Sequence, residues 1–209
     1  MLSNYLKNKH QQKFQQALLT ADESLLRKTL GKGVDINDPF ADAPDKPPQL
    51  PLFHAIQSCT PGCLQILLEA GARLPPESVL QRTLLEQAIR STDQALALLT
   101  QLLSHGLDAN TAEGSAFFYC LQNNNPSQQL LLLTRLMEHG GDINVRDDAR
   151  LSVLDRLMIA EQTQLVGSLI SAGALVSENL QQLACSDEIK AFAQRKKQDL
   201  EIQKMLLGG

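Results

Sequence analysis

One pattern recurs five times along the chain and limits what it can fold into. An apolar residue, two variable residues and a glycine occur at Leu30–Gly33, Leu68–Gly71, Leu103–Gly106, Met137–Gly140 and Ile170–Gly173. Successive glycines are 38, 35, 34 and 33 residues apart. A period of this length is typical of repeat proteins, in which each repeat is one supersecondary unit that packs on its neighbours.

The residues around each glycine predict how a repeat ends. Pairs of apolar residues precede the glycines, and Asp-x-Asn sequences follow three of them, at 35–37, 108–110 and 142–144. Glycine just after a helix accepts the left-handed backbone that ends it. Asp and Asn favour turns through side-chain to backbone hydrogen bonds. Each repeat is therefore predicted to end in a helix, a glycine stop and an extended turn.

Sequence patterns at the start of helices lie upstream of these stops. Thr83 with Glu86 forms a capping-box pattern, and Ser152 with Asp155 forms a weaker one. Proline is tolerated in a first helical turn, which predicts helices that begin after Thr60 and Asn125. Small and apolar residues are paired in the middle of the first helices, at Ala17-Leu18, Ala55-Ile56, Ala88-Ile89 and Cys120-Leu121.

The repeating unit resembles the ankyrin repeat. Leu50–Ile56 matches the first-helix motif Thr-Pro-Leu-His-x-Ala-Ala of that family, and the corresponding segments begin at Gln12, Thr83, Ser115 and Ser152. The family's histidine is replaced by Phe53, Glu86, Phe118 and Asp155. The resemblance implies an all-α ankyrin-repeat solenoid of helix-turn-helix units with short connecting turns and a C-terminal capping helix.

The repeat register gives the expected domain organisation. Residues 1–197 form the array, with repeats at about 5–37, 38–75, 76–110, 111–144 and 145–177, a capping repeat at 178–197, and a helical tail at 198–209. The linker after Gly33 is longer than the others and adds an excursion rich in Pro and Asp, at residues 38–47. In this register a side chain is expected to be tolerated at Gly141, because the other repeats have Val, Ala, Leu and Ala there.

The net charge and the apolar segments of the chain indicate which partners and which cellular location to expect. The net charge of −4 gives no electrostatic reason to bind nucleic acid. The longest purely apolar run, Leu130–Leu133, is too short to span a bilayer, and the N-terminus has no apolar stretch of signal-peptide length. The four cysteines form no dense framework, which favours free thiols in a reducing compartment. A monomer in the cytoplasm is expected.

No pattern in the chain predicts a catalytic or metal site. There is no glycine-rich phosphate loop, nucleophile elbow or pair of metal-binding histidines at helical spacing. Cys59 and Cys63 lack the second ligand pair of a zinc site. His105 and His139 precede glycine stops, where a cation favours a helix end, and His54 is interpreted as a contact or solvent-exposed residue. We therefore expect no enzymatic activity, cofactor or metal.

The ankyrin resemblance also implies where a partner would bind. Family contacts follow the Ala-Ala pair and occupy the turn tips, and aromatic residues are frequent in binding hot spots. Two readings of Phe118 remain open, a partner contact or a ring that fills the space of the missing histidine. The expected partner-binding residues are Phe53, Gln57, Arg82, Arg90, Phe118, Tyr119, Gln122 and Asn123.

The resulting functional expectation is a non-enzymatic module that binds a partner protein through the concave groove of the repeat array. Two alternatives are an inhibitor or immunity-type protein that occludes a specific partner enzyme, and a secreted effector. An enzyme with an unrecognised site is the remaining alternative. The tail after residue 198 is a second candidate for contact with a partner.

Overall fold

The computed structural model describes residues 2–58 and 60–207, and the regular secondary structure of these residues is helical. Within them there are no β-strands, only two isolated bridges, between Phe40 and Gln49 and between Arg146 and Ser152. The all-α prediction is confirmed. The helices are α1 Leu2–Leu19, α2 Glu23–Leu30, α3 Pro51–Gln57, α4 Pro61–Glu69, α5 Ser78–Arg90, α6 Ala95–Ser104, α7 Thr111–Cys120, α8 Pro126–Glu138, α9 Val153–Ile159, α10 Thr163–Ser171 and α11 Asp187–Leu207, with single 3₁₀ turns at Thr92–Gln94 and Leu180–Gln182.

The chain forms two compact units, Met1–Thr111 and Ala112–Gly209. In unit 1, helices pack as the pairs α1–α2, α3–α4 and α5–α6, and each helix also contacts its counterpart in the next pair. In unit 2, α10 contacts α8, α9 and α11. Ala17, Ala55 and Ala88 are completely buried in unit 1, as is Cys120 in unit 2. Small side chains at these positions let adjacent helices approach closely.

The glycine stops are confirmed. All five have positive φ, at 72° for Gly33, 91° for Gly71 and Gly106, 81° for Gly140 and 107° for Gly173. A side chain in this left-handed region is strained, whereas glycine adopts it freely. Gly71, Gly106, Gly140 and Gly173 lie two residues past the last residue of their helices, and Gly33 lies three residues past the end of α2. The helices therefore end where the sequence pattern predicts.

The Asp-x-Asn turns are also confirmed, and they connect neighbouring repeats within each unit. The Oδ1 atoms of the three aspartates, Asp35, Asp108 and Asp142, accept the backbone N–H two residues later at 2.9 Å. The Asn37 side chain then accepts the N–H of Arg73 at 2.9 Å, and the Asn144 side chain accepts that of Leu175 at 2.8 Å. One side chain therefore links a turn to the corresponding turn of the next repeat.

The predicted helix starts are partly correct. Asn125 caps α8 through its side chain, and Ser152 with Asp155 forms a complete capping box at α9. Thr60 is the N-cap residue of α4, but its hydroxyl donates to Ser58 O instead of capping. The prediction that a helix begins at Thr83 is wrong, because α5 begins five residues earlier and the Thr83 hydroxyl donates to Val79 O at 2.9 Å.

The expected tolerance of a side chain at Gly141 is wrong. A Cβ there would lie 2.7 Å from Phe117 Cζ and 2.9 Å from Leu136 O. Residues 72, 107 and 174 carry side chains and donate the same hydrogen bond to the carbonyl five residues earlier. The repeats that contain residues 72, 107 and 174 have leucine at the position of Phe117, so the ring distinguishes this repeat from those three. The first repeat has Phe14 at the same position, together with Val34 in its turn.

The C-terminal segment is one long helix. Within the segment expected to form the capping repeat, 178–197, the structure has a 3₁₀ turn at Leu180–Gln182 and the start of α11. α11 begins after Ser186, whose hydroxyl accepts the N–H of Ile189 at 3.3 Å. Ile189 and Ala193 are buried, and the Phe192 ring lies where a Cβ on Gly167 would be 3.0 Å away. α11 continues to Leu207, and the side chains of residues 201–206 are exposed.

Candidate partner-binding site

An apolar cleft of about 460 Å³ opens in unit 1 between the excursion, α3 and the start of α5. Its walls contain four prolines, Pro39, Pro48, Pro75 and Pro76, together with Leu50, Phe53 and Leu80. Proline has a fixed φ and no N–H, so these walls are stiff and present few donors. Among the described residues that line the cleft, Glu77 is the one with a charge.

The excursion is anchored to α3 by Phe40 and His54. Phe40 and Gln49 exchange two backbone hydrogen bonds, at 3.0 and 2.9 Å. The His54 ring stacks on Phe40 with centroids 4.0 Å apart, and its Nε2 donates to Phe40 O at 3.0 Å. His54 is only 4% exposed, so the expectation that it is a contact or solvent-exposed residue is wrong. It holds the base of the excursion against the helix.

The tip of the excursion is closed by an ion pair. Lys46 Nζ lies 2.8 Å from Asp42 Oδ2. The hydrogen bond from Lys46 holds the pKa of Asp42 below its usual value, with a smaller opposing effect of burial. Both side chains are solvent-accessible, so the pair shapes the loop more than it stabilises the fold.

The opposite wall is positioned by the residues before and within the first turns of α5. Gln81 Nε2 donates to Pro75 O at 2.8 Å, which fixes the double proline against the helix. In this arrangement Leu80 lines the cleft and is 36% exposed, and its neighbour Val79 is 70% exposed. Large apolar side chains that remain exposed next to one another mark surfaces used for binding.

Of the residues predicted in unit 1, Phe53 lies in the cleft. Its side chain is buried in the wall, and Leu50 and Leu80 line the same space. Gln57 is exposed and donates to Gln49 Oε1 at 2.9 Å, near the base of the excursion. The two predicted arginines are exposed on α5, and Arg90 pairs with Glu86 at 3.2 Å.

The predicted residues of unit 2 belong to the end of α7 and the turn after it. Phe118 and Tyr119 are half-buried, and Gln122 is exposed. Asn123 is half-buried and closes the turn, since its Oδ1 accepts the Asn125 N–H at 2.9 Å. These four residues lie close together along the chain in one helix end and turn.

Sequence reasoning missed Pro75, Pro76 and Leu80. The double proline is separated by two residues from Val79-Leu80, two apolar residues that precede the predicted helix start at Thr83 but lie in the first turn of α5. An error in the helix start therefore concealed the second wall of the cleft.

The thiols of Cys63 and Cys120 are buried. Burial, with smaller effects of Glu23 and Asp22, raises the pKa of Cys63 to about 11, and burial also raises the pKa of Cys120. Such thiols stay protonated and inert at neutral pH. Cys59 lies outside the described residues. Across residues 2–58 and 60–207, no three His, Cys, Asp or Glu side chains come close enough together to hold a metal ion.

The histidines before two of the glycine stops occupy helix ends. His105 is the C-cap residue of α6, and its Nδ1 lies 2.8 Å from Gln101 O, while His139 is the C-cap residue of α8. In the described part of the chain, no helix has the length and apolar content needed to cross a bilayer.

Comparison with known proteins identifies the fold. No protein-family model and no curated protein matches the chain. It is similar in structure to the ankyrin repeat domain of Bcl-3, described as a unique member of the IkappaB protein family, with a TM-score of 0.60 and 15% sequence identity. The match covers 88% of this chain and 97% of that domain. The chain therefore has the ankyrin-repeat fold, as its repeats predict.

Proposed function

We propose that this protein is a non-enzymatic interaction module that holds an apolar segment of a partner protein in the cleft of unit 1. The observation that carries the proposal is the cleft itself, with stiff proline walls, an apolar floor that includes Phe53, and the exposed pair Val79-Leu80 at its edge. Burying apolar surface contributes roughly 25 cal/mol per Å². A preformed site also avoids the cost of ordering its walls on binding.

The chemistry of the lining supports binding rather than catalysis. Glu77 is its one charged side chain among the described residues, and the Thr83 hydroxyl is engaged with the backbone of its own helix. Ankyrin-fold repeats expose their turns and first helices as a platform. The cleft combines both elements, since the excursion belongs to a turn and α3 and α5 are first helices.

The experiment is affinity capture from native cell extract on immobilised protein, with Leu80→Glu as the test variant. Leu131→Glu is the matched control, because Leu131 is a leucine on α8 that is 53% exposed and lies outside this cleft. A genuine partner is retained by the wild type and the control, and is depleted at least tenfold by Leu80→Glu. The same difference is then measured with the purified partner.

A partner that binds Leu80→Glu as tightly as the wild type contradicts the proposal. The assay also separates an adaptor from an inhibitor. One partner enzyme that is bound one-to-one and loses its activity identifies an inhibitor, whereas weak contacts with several proteins identify an adaptor. We further propose a cytoplasmic monomer, which light scattering and cell fractionation test.

In unit 2 we propose Phe118, Tyr119, Gln122 and Asn123 as further contact residues. Their support is the half-buried aromatic pair at the end of α7. Tyr119→Ala is expected to weaken binding of the captured partner by about thirtyfold if the ring is an anchor. Gln164→Ala, an exposed change on α10, is the control. Unchanged binding by Tyr119→Ala removes this part of the proposal without affecting the cleft of unit 1.

A further inference from the structure

We infer that a second cleft, at the C-terminal end of unit 2, binds an extended acidic peptide segment of a partner protein. This basic cleft has a volume of about 670 Å³ and lies between α11, the turn that follows α10, and the turn that contains Arg146 and Arg150. It shares no residue with the apolar cleft of unit 1. It is therefore independent of the function proposed above.

The charge of the basic cleft is opposite to that of the chain. Four cations line it, Arg146, Arg150, Lys197 and Lys204, against the two carboxylates Glu178 and Glu201. The lining thus has an excess of positive charge in a protein of net charge −4. Like charges gathered in a concave surface focus the electrostatic potential and attract ligands of the opposite sign.

Three of the cations are available for a ligand. Within the described residues, Lys197, Lys204 and Arg150 make no ion pair within 4.0 Å. Arg146 Nη1 lies 3.8 Å from Asp155 Oδ2, so its charge is partly balanced by a buried carboxylate. A ligand carboxylate therefore has cations to pair with that do not already hold an acid.

The helical wall is regular. Lys197, Leu200, Glu201 and Lys204 are spaced three and four residues apart, which places them on one face of α11. Nearer the N-terminus of α11 the same face is buried, at Ile189 and Ala193, where the helix packs on α10. The rigid packed part of the helix thus positions the cationic part.

The opposite wall is held by hydrogen bonds. Asp147 Oδ1 accepts the N–H groups of Ala149 and Leu151, both at 3.0 Å. Arg150 stands at the tip of this turn with a φ of 60°, and its carbonyl accepts a hydrogen bond from Arg146 Nη1 at 2.8 Å. The side chain of Arg146 and the backbone of Arg150 are therefore placed before a ligand arrives, which lowers the entropy lost on binding.

The floor of the basic cleft is apolar and identifies the kind of anion. Ile170 and Ala174 are buried below it, Leu200 is half-buried, and Leu175 is 69% exposed. The Leu175 N–H is held by the Asn144 side chain, so this residue is fixed in place. A peptide in which acidic side chains flank an aliphatic one complements both the cations and the apolar floor.

The lining disfavours nucleic acid as the occupant. Proteins that bind single strands stack bases on aromatic rings, and no described residue that lines the cleft is aromatic. A bare inorganic anion would leave the apolar floor in water. An acidic peptide with an aliphatic anchor is the ligand that uses both features.

The test is fluorescence anisotropy on the full chain with two labelled pools of twelve-residue peptides. In one pool Glu or Asp alternates with Leu, Ile or Val, and in the other Gln or Asn replaces the acids. The acidic pool is expected to bind, to bind more weakly as salt is raised, and to bind at least tenfold less to the double variant Lys197→Glu/Lys204→Glu. Arg195→Glu, on the same helix but outside the basic cleft, is the matched control and is expected to retain binding within twofold.

Two more variants keep the outcome interpretable. Leu175→Glu adds an acid to the exposed floor without touching the core and is expected to weaken the acidic pool in the same way. Leu80→Glu is expected to leave peptide binding unchanged, so failure of this proposal and failure of the proposed function are distinguishable. Equal binding of both pools, or binding unaffected by the double charge reversal, overturns the proposal. So does binding of inorganic phosphate or a single-stranded oligonucleotide in place of the acidic pool.

Discussion

Phe117 and Gly141 form a matched pair of residues in unit 2. The ring occupies the space that a Cβ on residue 141 would need, whereas three other repeats combine leucine at the position of Phe117 with Ala or Leu at that of Gly141. The first repeat has both Phe14 and Val34, so the conflict belongs to the repeat of Phe117 and is not general. Packing this dense tolerates no extra methyl group without a shift of its neighbours.

The pair predicts coupled effects on stability. Gly141→Ala is expected to lower the free energy of unfolding by about 1–3 kcal/mol through overpacking. In the Phe117→Leu background the same change is expected to cost less, with a coupling on the order of 1 kcal/mol. Urea denaturation of the four proteins in this cycle measures the coupling. Additive effects mean that the ring is not the obstacle.

Asp147 predicts a dependence of stability on pH. Burial acts to raise the pKa of its carboxyl, but hydrogen bonds from Arg156 Nε and from the N–H groups of Leu151 and Ala149 outweigh it and lower the pKa. A depressed pKa stabilises the fold above the unfolded value, near 4, and this stabilisation is lost as the pH falls through the lower folded value.

Asp147→Asn is therefore expected to reduce stability at pH 7 by about 1 kcal/mol, with a difference from the wild type that shrinks below about pH 4. Asp148→Asn is the control, because the side chain of Asp148 is exposed at the same turn. Thermal unfolding at several pH values makes the comparison. A difference that stays constant down to pH 2 contradicts the assignment.

At the scale of elements, the end of α2 offers two glycines that differ in backbone conformation alone. Gly31 has an ordinary φ of −69° and Gly33 has a φ of 72°, and a Cβ would meet nothing within 4 Å at either residue. Gly33→Ala is expected to destabilise by about 1–2 kcal/mol, because the left-handed conformation is strained for a residue with a side chain. Gly31→Ala is expected to be neutral or stabilising by up to about 1 kcal/mol, because it restricts the unfolded chain.

The measurement is the urea midpoint of the two variants against the wild type. Equal losses in both would mean that the left-handed conformation of Gly33 is not what ends the helix. The pair is informative since the two sites are two residues apart and equally open.

Helix ends were more predictable from the sequence than helix starts. The turn after these helices needs a residue with positive φ, which glycine adopts more readily than residues with a side chain. All five glycines therefore have positive φ at the positions that the pattern predicts. A Thr-x-x-Glu pattern has no such exclusivity, and Thr83 lies inside α5, where its hydroxyl bonds to the preceding turn. The 3₁₀ turn at Leu180–Gln182 was equally hard to predict, because the spacing of apolar residues alone does not fix the length of a helical segment.

The candidate sites were only partly predictable. Phe53 was identified because it replaces the family's histidine, and it lines the apolar cleft. Pro39 and Pro48 line that cleft because the excursion folds back on α3, where Phe40 contacts His54. Pro75, Pro76 and Leu80 line it because α5 begins at Ser78 and Gln81 bonds to Pro75 O. The basic cleft joins residues about fifty positions apart, such as Arg150 and Lys204, and local patterns carry no information about that distance.

At the scale of the whole molecule, each unit contains one completely buried thiol among its described residues, Cys63 in unit 1 and Cys120 in unit 2. Alkylation requires an exposed thiolate, so each thiol reacts only when its surroundings open. In urea below the unfolding transition, Gly141→Ala is expected to accelerate labelling of Cys120 more than labelling of Cys63. Mass spectrometry with fragment ions that separate Cys63 from Cys59 gives both rates, and equal acceleration would mean that the two units open in a single step.

The excursion of unit 1 also has a consequence for engineering. The two ends of the loop formed by residues 41–48 are held together, because Phe40 and Gln49 are joined by two backbone hydrogen bonds and Phe40 stacks on His54. The entropy of closing a loop rises only slowly with its length, and exposed loop tips with held ends tolerate insertions. A fluorescent reporter domain grafted between Ala43 and Pro44 would stand beside the mouth of the apolar cleft, and its emission would respond to whatever enters there.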